Sequence, residues 1–206
     1  MLGEWFRRFG DIPGVSYETP AGIDRGRLPQ ANARPTIETY DGERFMYWPG
    51  EEGSETISTS SSPAHGRAFG PDLAGLPTAA VLGHLSETLE LPGEPADYHF
   101  AIQHVLDVLW KRRRTEPGVL TTVERLAWLD LDLAEARPDA VSFDMDGHRK
   151  FAAIQGFQVL ITLYEREGAL REALEVADLA LRYDQQQAKR DELVARVAAL
   201  DSEEAG

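Results

Sequence analysis

Two aspartates stand two residues apart in the string VSFDMDG, at Asp144 and Asp146, and histidines occupy positions 65, 84, 99, 104 and 148. Carboxylates and imidazoles are the groups that most often move protons, attack electrophiles or bind metals. A calcium loop needs further acidic ligands at set positions, and after Asp146 these are missing. No two histidines have the close spacing of a catalytic zinc site, although His84, His99 and His104 are placed so that a fold could bring them together. Cysteine is absent, which removes disulfides, thiolate nucleophiles and cysteine-ligated zinc at once. The one dense basic run, KRRR at residues 111–114, falls where a helix is expected to end. The helix dipole favours cations there, and contact with an acidic partner or a phosphate is the second reading. No catalytic constellation, metal site or cofactor is therefore expected.

The chain has 206 residues, 35 acidic against 21 basic, for a formal charge of -14. Such a charge repels nucleic acid and anionic lipid beyond a Debye length, so neither is an expected partner. The opening MLGEWFRRFGDIPG lacks the apolar run of a signal peptide, and nothing later approaches the roughly 20 apolar residues of a membrane span. Together with the absence of cysteine this points to the cytoplasm. Arginine outnumbers lysine 18 to 3, a skew of GC-rich coding that suggests a bacterial source.

Residues 1–96 hold 10 of the 12 prolines and 13 of the 18 glycines. Proline clashes inside helices and glycine loses most entropy on ordering, so the first part is expected to be irregular and the second, residues 97–206, a helical domain. In the first part Leu2, Trp5, Phe6 and Phe9 share one helical face. Residues 36–48 carry Asp41-Gly42 between stretches rich in threonine, isoleucine and aromatics, which predicts a small β-hairpin. An isolated hairpin is marginal in water, so Tyr40, Phe45, Tyr47 and Trp48 should pack on the helical part or on another molecule. Residues 51–66 are polar and turn-rich and read as a mobile loop. A short helix is expected over 78–91.

Beyond Pro95 the apolar spacing is helical throughout. Asp97 is expected to cap a helix with apolar positions Phe100, Ile102, Val105, Leu106, Leu109 and Trp110, and Thr121 or Thr122 the next, which Pro138 stops. A third helix is expected over 148–167, a fourth over 170–183 and a fifth over 187–200. The fold class is mainly α, made of antiparallel helix hairpins behind an irregular N-terminal region with a small β-hairpin.

Residues 151–184 resemble one tetratricopeptide repeat. That family places a tyrosine late in its first helix, a small residue at the turn and alanines where the second helix crosses the first, and Tyr164, Gly168, Ala173 and Ala180 stand at those spacings. Ile161, Ala177 and Gln185 depart from it, the last standing where the family closes with proline. The preceding pair of helices would be a degenerate repeat, and the last helix, polar on its outer face, a terminal cap. The resemblance implies a concave surface lined by the first helix of each pair, on which Gln155, Gln158, Thr162 and Glu165 would meet a peptide or protein segment.

VSFDMDG also resembles the first motif of haloacid-dehalogenase-like phosphatases, which implies a nucleophile at Asp144 and a general acid at Asp146. The family continues with threonine where this chain has His148, and it needs a parallel sheet, whereas the residues after 148 read as helix. A turn and cap before the third helix is the simpler reading of Asp144 to Gly147. The expected function is accordingly a non-enzymatic protein-interaction module, with Tyr47 and Trp48 as further contact residues. A regulatory or ligand-sensing helical domain of a bacterial system is the alternative. A protein or peptide partner is expected, and homo-oligomerisation is compatible with leftover apolar helix surface.

Overall fold

The computed structural model describes residues 8–25, 28, 36–41, 43–50, 53–58, 62–68 and 72–204, with backbone only for the strands between 36 and 58. The expected helix carrying Leu2, Trp5 and Phe6 lies outside the described residues. Phe9–Asp11 forms a single 3-10 turn, with Phe9 fully buried.

The hairpin appears where Asp41-Gly42 predicts it. β1 (Thr36–Tyr40) and β2 (Glu43–Gly50) are antiparallel, with Tyr40 opposite Glu43. Asp41 takes a φ of 50°, the left-handed value that a type I′ turn demands. The hairpin is not isolated, and residues 51–66 are not all loop: β3 (Gly53–Ser58) pairs with β2 in a three-stranded meander, and α1 (Pro63–Ala68) follows. Polar composition hides an edge strand, because one edge and one face of it can meet water. Ser62 caps α1, its Oγ accepting the His65 N–H at 3.0 Å, with Pro63 at the first helical position.

Mainly helical structure follows. α2 (Thr78–Glu90) stands as expected, but α3 (Pro95–Arg112) begins two residues before Asp97. Glu94 is the N-cap, and Asp97 closes a capping box by accepting the Glu94 N–H at 3.0 Å. α4 (Leu120–Ala136) is led in by a 3-10 turn at Pro117–Val119, so Thr121 and Thr122 lie inside its first turn instead of capping it.

The third expected helix starts too early. His148–Phe151 is strand β5, paired with β4 (Ser142–Met145) across Asp146-Gly147, whose φ values of 56° and 74° make a second tight turn. α5 (Gln155–Glu167) begins only after this hairpin. Its start is clamped by Gln185, which accepts the Ile154 N–H at 3.0 Å and donates to the Ala152 carbonyl at 2.9 Å. α6 (Leu170–Ala180) turns back after Gly168, whose φ is 80°, and α7 (Gln187–Glu204) runs along the outside with Leu193 fully buried.

Consecutive helices from α3 to α7 pack on one another, and α3 also touches α5. Ala173, Ala177 and Ala180 of α6, which packs on α5 and α7, are all fully buried, and a methyl side chain permits close axes. Gly156 does the same at the crossing of α5 on α4: a Cβ there would stand 3.1 Å from the Ala127 carbonyl oxygen. One continuous core runs through residues on both sides of position 96, from Phe9, Ile12 and Leu85 to Tyr98, Phe157 and Leu193.

Candidate functional site

α1, α3 and α5 enclose a cleft of about 360 Å³ lined by Ala68, Phe100, Gln103, His104, Asp107 and Gln155. Phe100 is 39% exposed, against the expectation that it belongs to the core. The helical wheel explains it: Ile102, Val105 and Leu109 mark the buried side of α3, and Phe100 falls opposite them, on a stripe with His104 and Asp107. His104 is held beside α1, its Nδ1 lying 3.4 Å from the Ala68 carbonyl.

Directly behind this wall sits a pair that sequence reasoning did not single out. His99 Nδ1 and Asp130 Oδ1 are 2.7 Å apart, and both side chains are fully buried. Gln103 Nε2 lies 2.6 Å from His99 Nε2 and 2.8 Å from the Ala153 carbonyl, which can only accept. Gln103 must therefore present its amide N–H groups to both, so His99 Nε2 accepts and its proton sits on Nδ1, toward Asp130. Burial raises the Asp130 carboxyl above its ordinary range, and its interaction with His99 opposes that. Asp130 Oδ2 is buried without a hydrogen-bond partner. The arrangement has the form of an acid–base dyad, yet its free nitrogen is occupied and no solvent reaches it; it ties α3 to α4 and, through Gln103, fixes the cleft wall.

A second cluster, Ser62, His65 and Asp97, has the residue types of a nucleophilic triad but not its connections. Ser62 Oγ donates to Asp97 Oδ2 at 2.5 Å and His65 Nδ1 lies 2.9 Å from Asp97 Oδ1, so the carboxylate stands between serine and histidine. A triad needs the imidazole between them. Here Asp97 joins the starts of α1 and α3.

No family model, curated protein or solved structure matches the chain.

Of the residues expected on the concave face, Gln155 lines the cleft and Gln158 is exposed. Thr162 Oγ1 donates to the Gln158 carbonyl at 2.7 Å, and Glu165 is bound by Lys189 at 2.9 Å and by Arg196, both on α7. Tyr47 and Trp48 lie on β2, opposite Thr56 and Glu55 of β3, and their side chains lie outside the described residues. Asp144 Oδ1 accepts the Gly147 N–H at 3.1 Å on the exposed β4–β5 hairpin, so Asp144 to Gly147 is a turn, but it caps no helix. Among the described residues no strand pairs in parallel.

The histidines do not converge either. His84 Nε2 lies 2.9 Å from the Arg67 carbonyl, His99 is buried with Asp130, and among the described residues no three His, Asp or Glu side chains group as metal ligands. Tyr164, late in α5, accepts from Trp128 Nε1 at 2.9 Å and donates to Glu124 at 2.8 Å, bridging α4 and α5. No described helix is long and apolar enough to cross a membrane.

Proposed function

We propose that this chain is a non-enzymatic, tetratricopeptide-like interaction module that holds an extended segment of a partner protein in the groove between α3 and α5. The observation that carries the reading is the cleft itself, where a 39% exposed phenylalanine stands among the polar side chains of Gln103, His104, Asp107 and Gln155. An apolar anchor site ringed by a few hydrogen-bonding groups suits a peptide better than it suits chemistry, because Phe100 rewards burial of an apolar side chain while the amides satisfy backbone groups. The two His–Asp pairs are consumed in joining helices and take no part in the cleft surface. The helix-to-helix succession supports the tetratricopeptide-like reading, as do the left-handed Gly168 and the buried Ala173 and Ala180. A cytoplasmic, cysteine-free protein of this kind needs no cofactor for that role.

The test is capture from native cell extract by the full chain and by its Phe100→Ser variant, with circular dichroism confirming that the variant is folded. A protein retained by the first and lost by the second supports the reading. Equal retention by both, or hydrolysis of a phosphomonoester that disappears in Asp144→Asn, overturns it.

A further inference from the structure

The wall of the α3–α5 cleft has a fixed polarity. Both N–H groups of the Gln103 amide are taken from behind, one by His99 Nε2 at 2.6 Å and one by the Ala153 carbonyl at 2.8 Å. What this side chain has left for the cleft is Oε1, which can only accept. A freely turning amide adapts to any ligand, but the reversed orientation here would set Oε1 against a carbonyl oxygen and a nitrogen lone pair. The fully buried His99 and Asp130 thus dictate, from behind the wall, what the wall offers.

The rest of the α3 stripe offers the same kind of group. Phe100, Gln103, His104 and Asp107 follow one another at helical spacing, and all four line the cleft. Asp107 meets Lys111 through Oδ2 at 2.6 Å, and its side chain remains 40% exposed. Lys111 is itself 72% exposed, so the pair is worth little and yields to a better-placed cation. His104 Nδ1 faces the Ala68 carbonyl, so in the neutral ring Nε2 is a further acceptor. Phe100 adds an aromatic surface whose face attracts positive charge. Among the described residues no lysine or arginine lines the cleft, and Gln155 can offer either end of its amide.

We propose that the cleft is the seat of an arginine side chain carried by the segment that occupies the α3–α5 groove, an assignment that rests on the function proposed above. The apolar stem packs beside Phe100 and Ala68, and the guanidinium donates to Gln103 Oε1 and to Asp107. A guanidinium brings five N–H donors and no acceptor, the complement of a wall whose acceptors are fixed in place. A phosphate or carboxylate brings only acceptors and is repelled by Asp107. The net charge of -14 acts in the same sense, drawing basic segments toward the molecule. A plain surface ion pair accounts for Asp107 and Lys111, but it does not call for a neighbouring amide locked as an acceptor by a buried histidine.

The experiment titrates the full-length protein with the Nα-acetyl N-methylamides of arginine, citrulline and leucine, and follows the Gln103 side-chain amide and the Phe100 ring by NMR. Citrulline has the shape of arginine without its charge. The arginine derivative should shift both signals, bind about tenfold more tightly than the citrulline derivative and weaken as salt is raised. Asp107→Asn should weaken it about fivefold and Lys111→Gln should strengthen it about twofold, both with unchanged melting temperature, whereas a purely structural pair would move neither affinity. Equal binding of arginine and citrulline, or undiminished arginine binding in Asp107→Asn, overturns the cation site. If the leucine derivative alone shifts the two signals, the groove keeps an apolar anchor and the arginine assignment falls. If the arginine derivative binds as expected but Phe100→Ser retains the same proteins from native cell extract, the cation site stands and the groove reading falls.

Discussion

His99 donates its Nδ1 proton to Asp130 across 2.7 Å, with neither side chain open to solvent, and this bond joins α3, which carries the cleft wall, to α4 behind it. Asp130→Ala would leave a buried N–H without an acceptor, so a loss of about 1–3 kcal/mol is expected in urea unfolding. Asp130→Asn keeps the acceptor and removes the buried charge, and should cost less than half as much. Equal costs for the two would show that the charge itself holds the helices together.

Gly156 and Gly83 should respond oppositely to alanine. At Gly156 the new methyl would meet the Ala127 carbonyl at 3.1 Å and the Leu131 side chain at 3.5 Å. Overpacking of about 1–3 kcal/mol outweighs a helix-propensity gain of about 1, so Gly156→Ala should lower the melting temperature. Gly83 lies within α2 with nothing inside 4 Å of its Cβ position, and Gly83→Ala should raise stability by about 0.5–1 kcal/mol.

Arg112 secures the turn before α2 against the end of α3. Its guanidinium reaches the carbonyls of Leu73, Ala74 and Leu76 and the Thr78 hydroxyl, at 2.6 to 3.3 Å. Arg112→Ala is expected to cost about 1–3 kcal/mol and to speed amide exchange over residues 73–78, with little rescue by lysine, which lacks the planar fork. Lys111→Ala removes a side chain that is 72% exposed in its pair with Asp107 and should change stability by less than about 0.5 kcal/mol.

His84 makes the fold sensitive to mild acid. Desolvation lowers its pKa below 6.5, and the Arg67 guanidinium beside it acts in the same sense. A base whose folded pKa is depressed contributes stability that is complete above its unfolded pKa and lost as pH falls through the folded one. Unfolding midpoints should therefore decline as pH drops from neutrality through the range just below 6.5. His84→Gln should remove part of that decline, and an unchanged pH profile would show that His84 does not contribute.

Local signals were legible where one short stretch carries its own physics. Asp41-Gly42 forced a tight turn, Gly168 ended α5 in the left-handed conformation, and Pro138 closed the segment after α4. The same dipeptide at Asp146-Gly147 carried an equal signal, but the helical reading of the following residues overrode it, and β5 was mistaken for the start of a helix. Phe100 could have been placed outside the core from the wheel alone, since it sits opposite Ile102 and Leu109.

By itself, then, the sequence determined the mainly helical class, the turns at Asp-Gly and Gly168, and the absence of thiol chemistry, because each depends on neighbours a few residues away or on composition. Tertiary structure decided the rest. His99 found Asp130 thirty-one positions along, and Gln185 came back to clamp the start of α5. Such meetings depend on how helices are stacked and rotated, and no periodicity within one helix encodes which residue of another it will face.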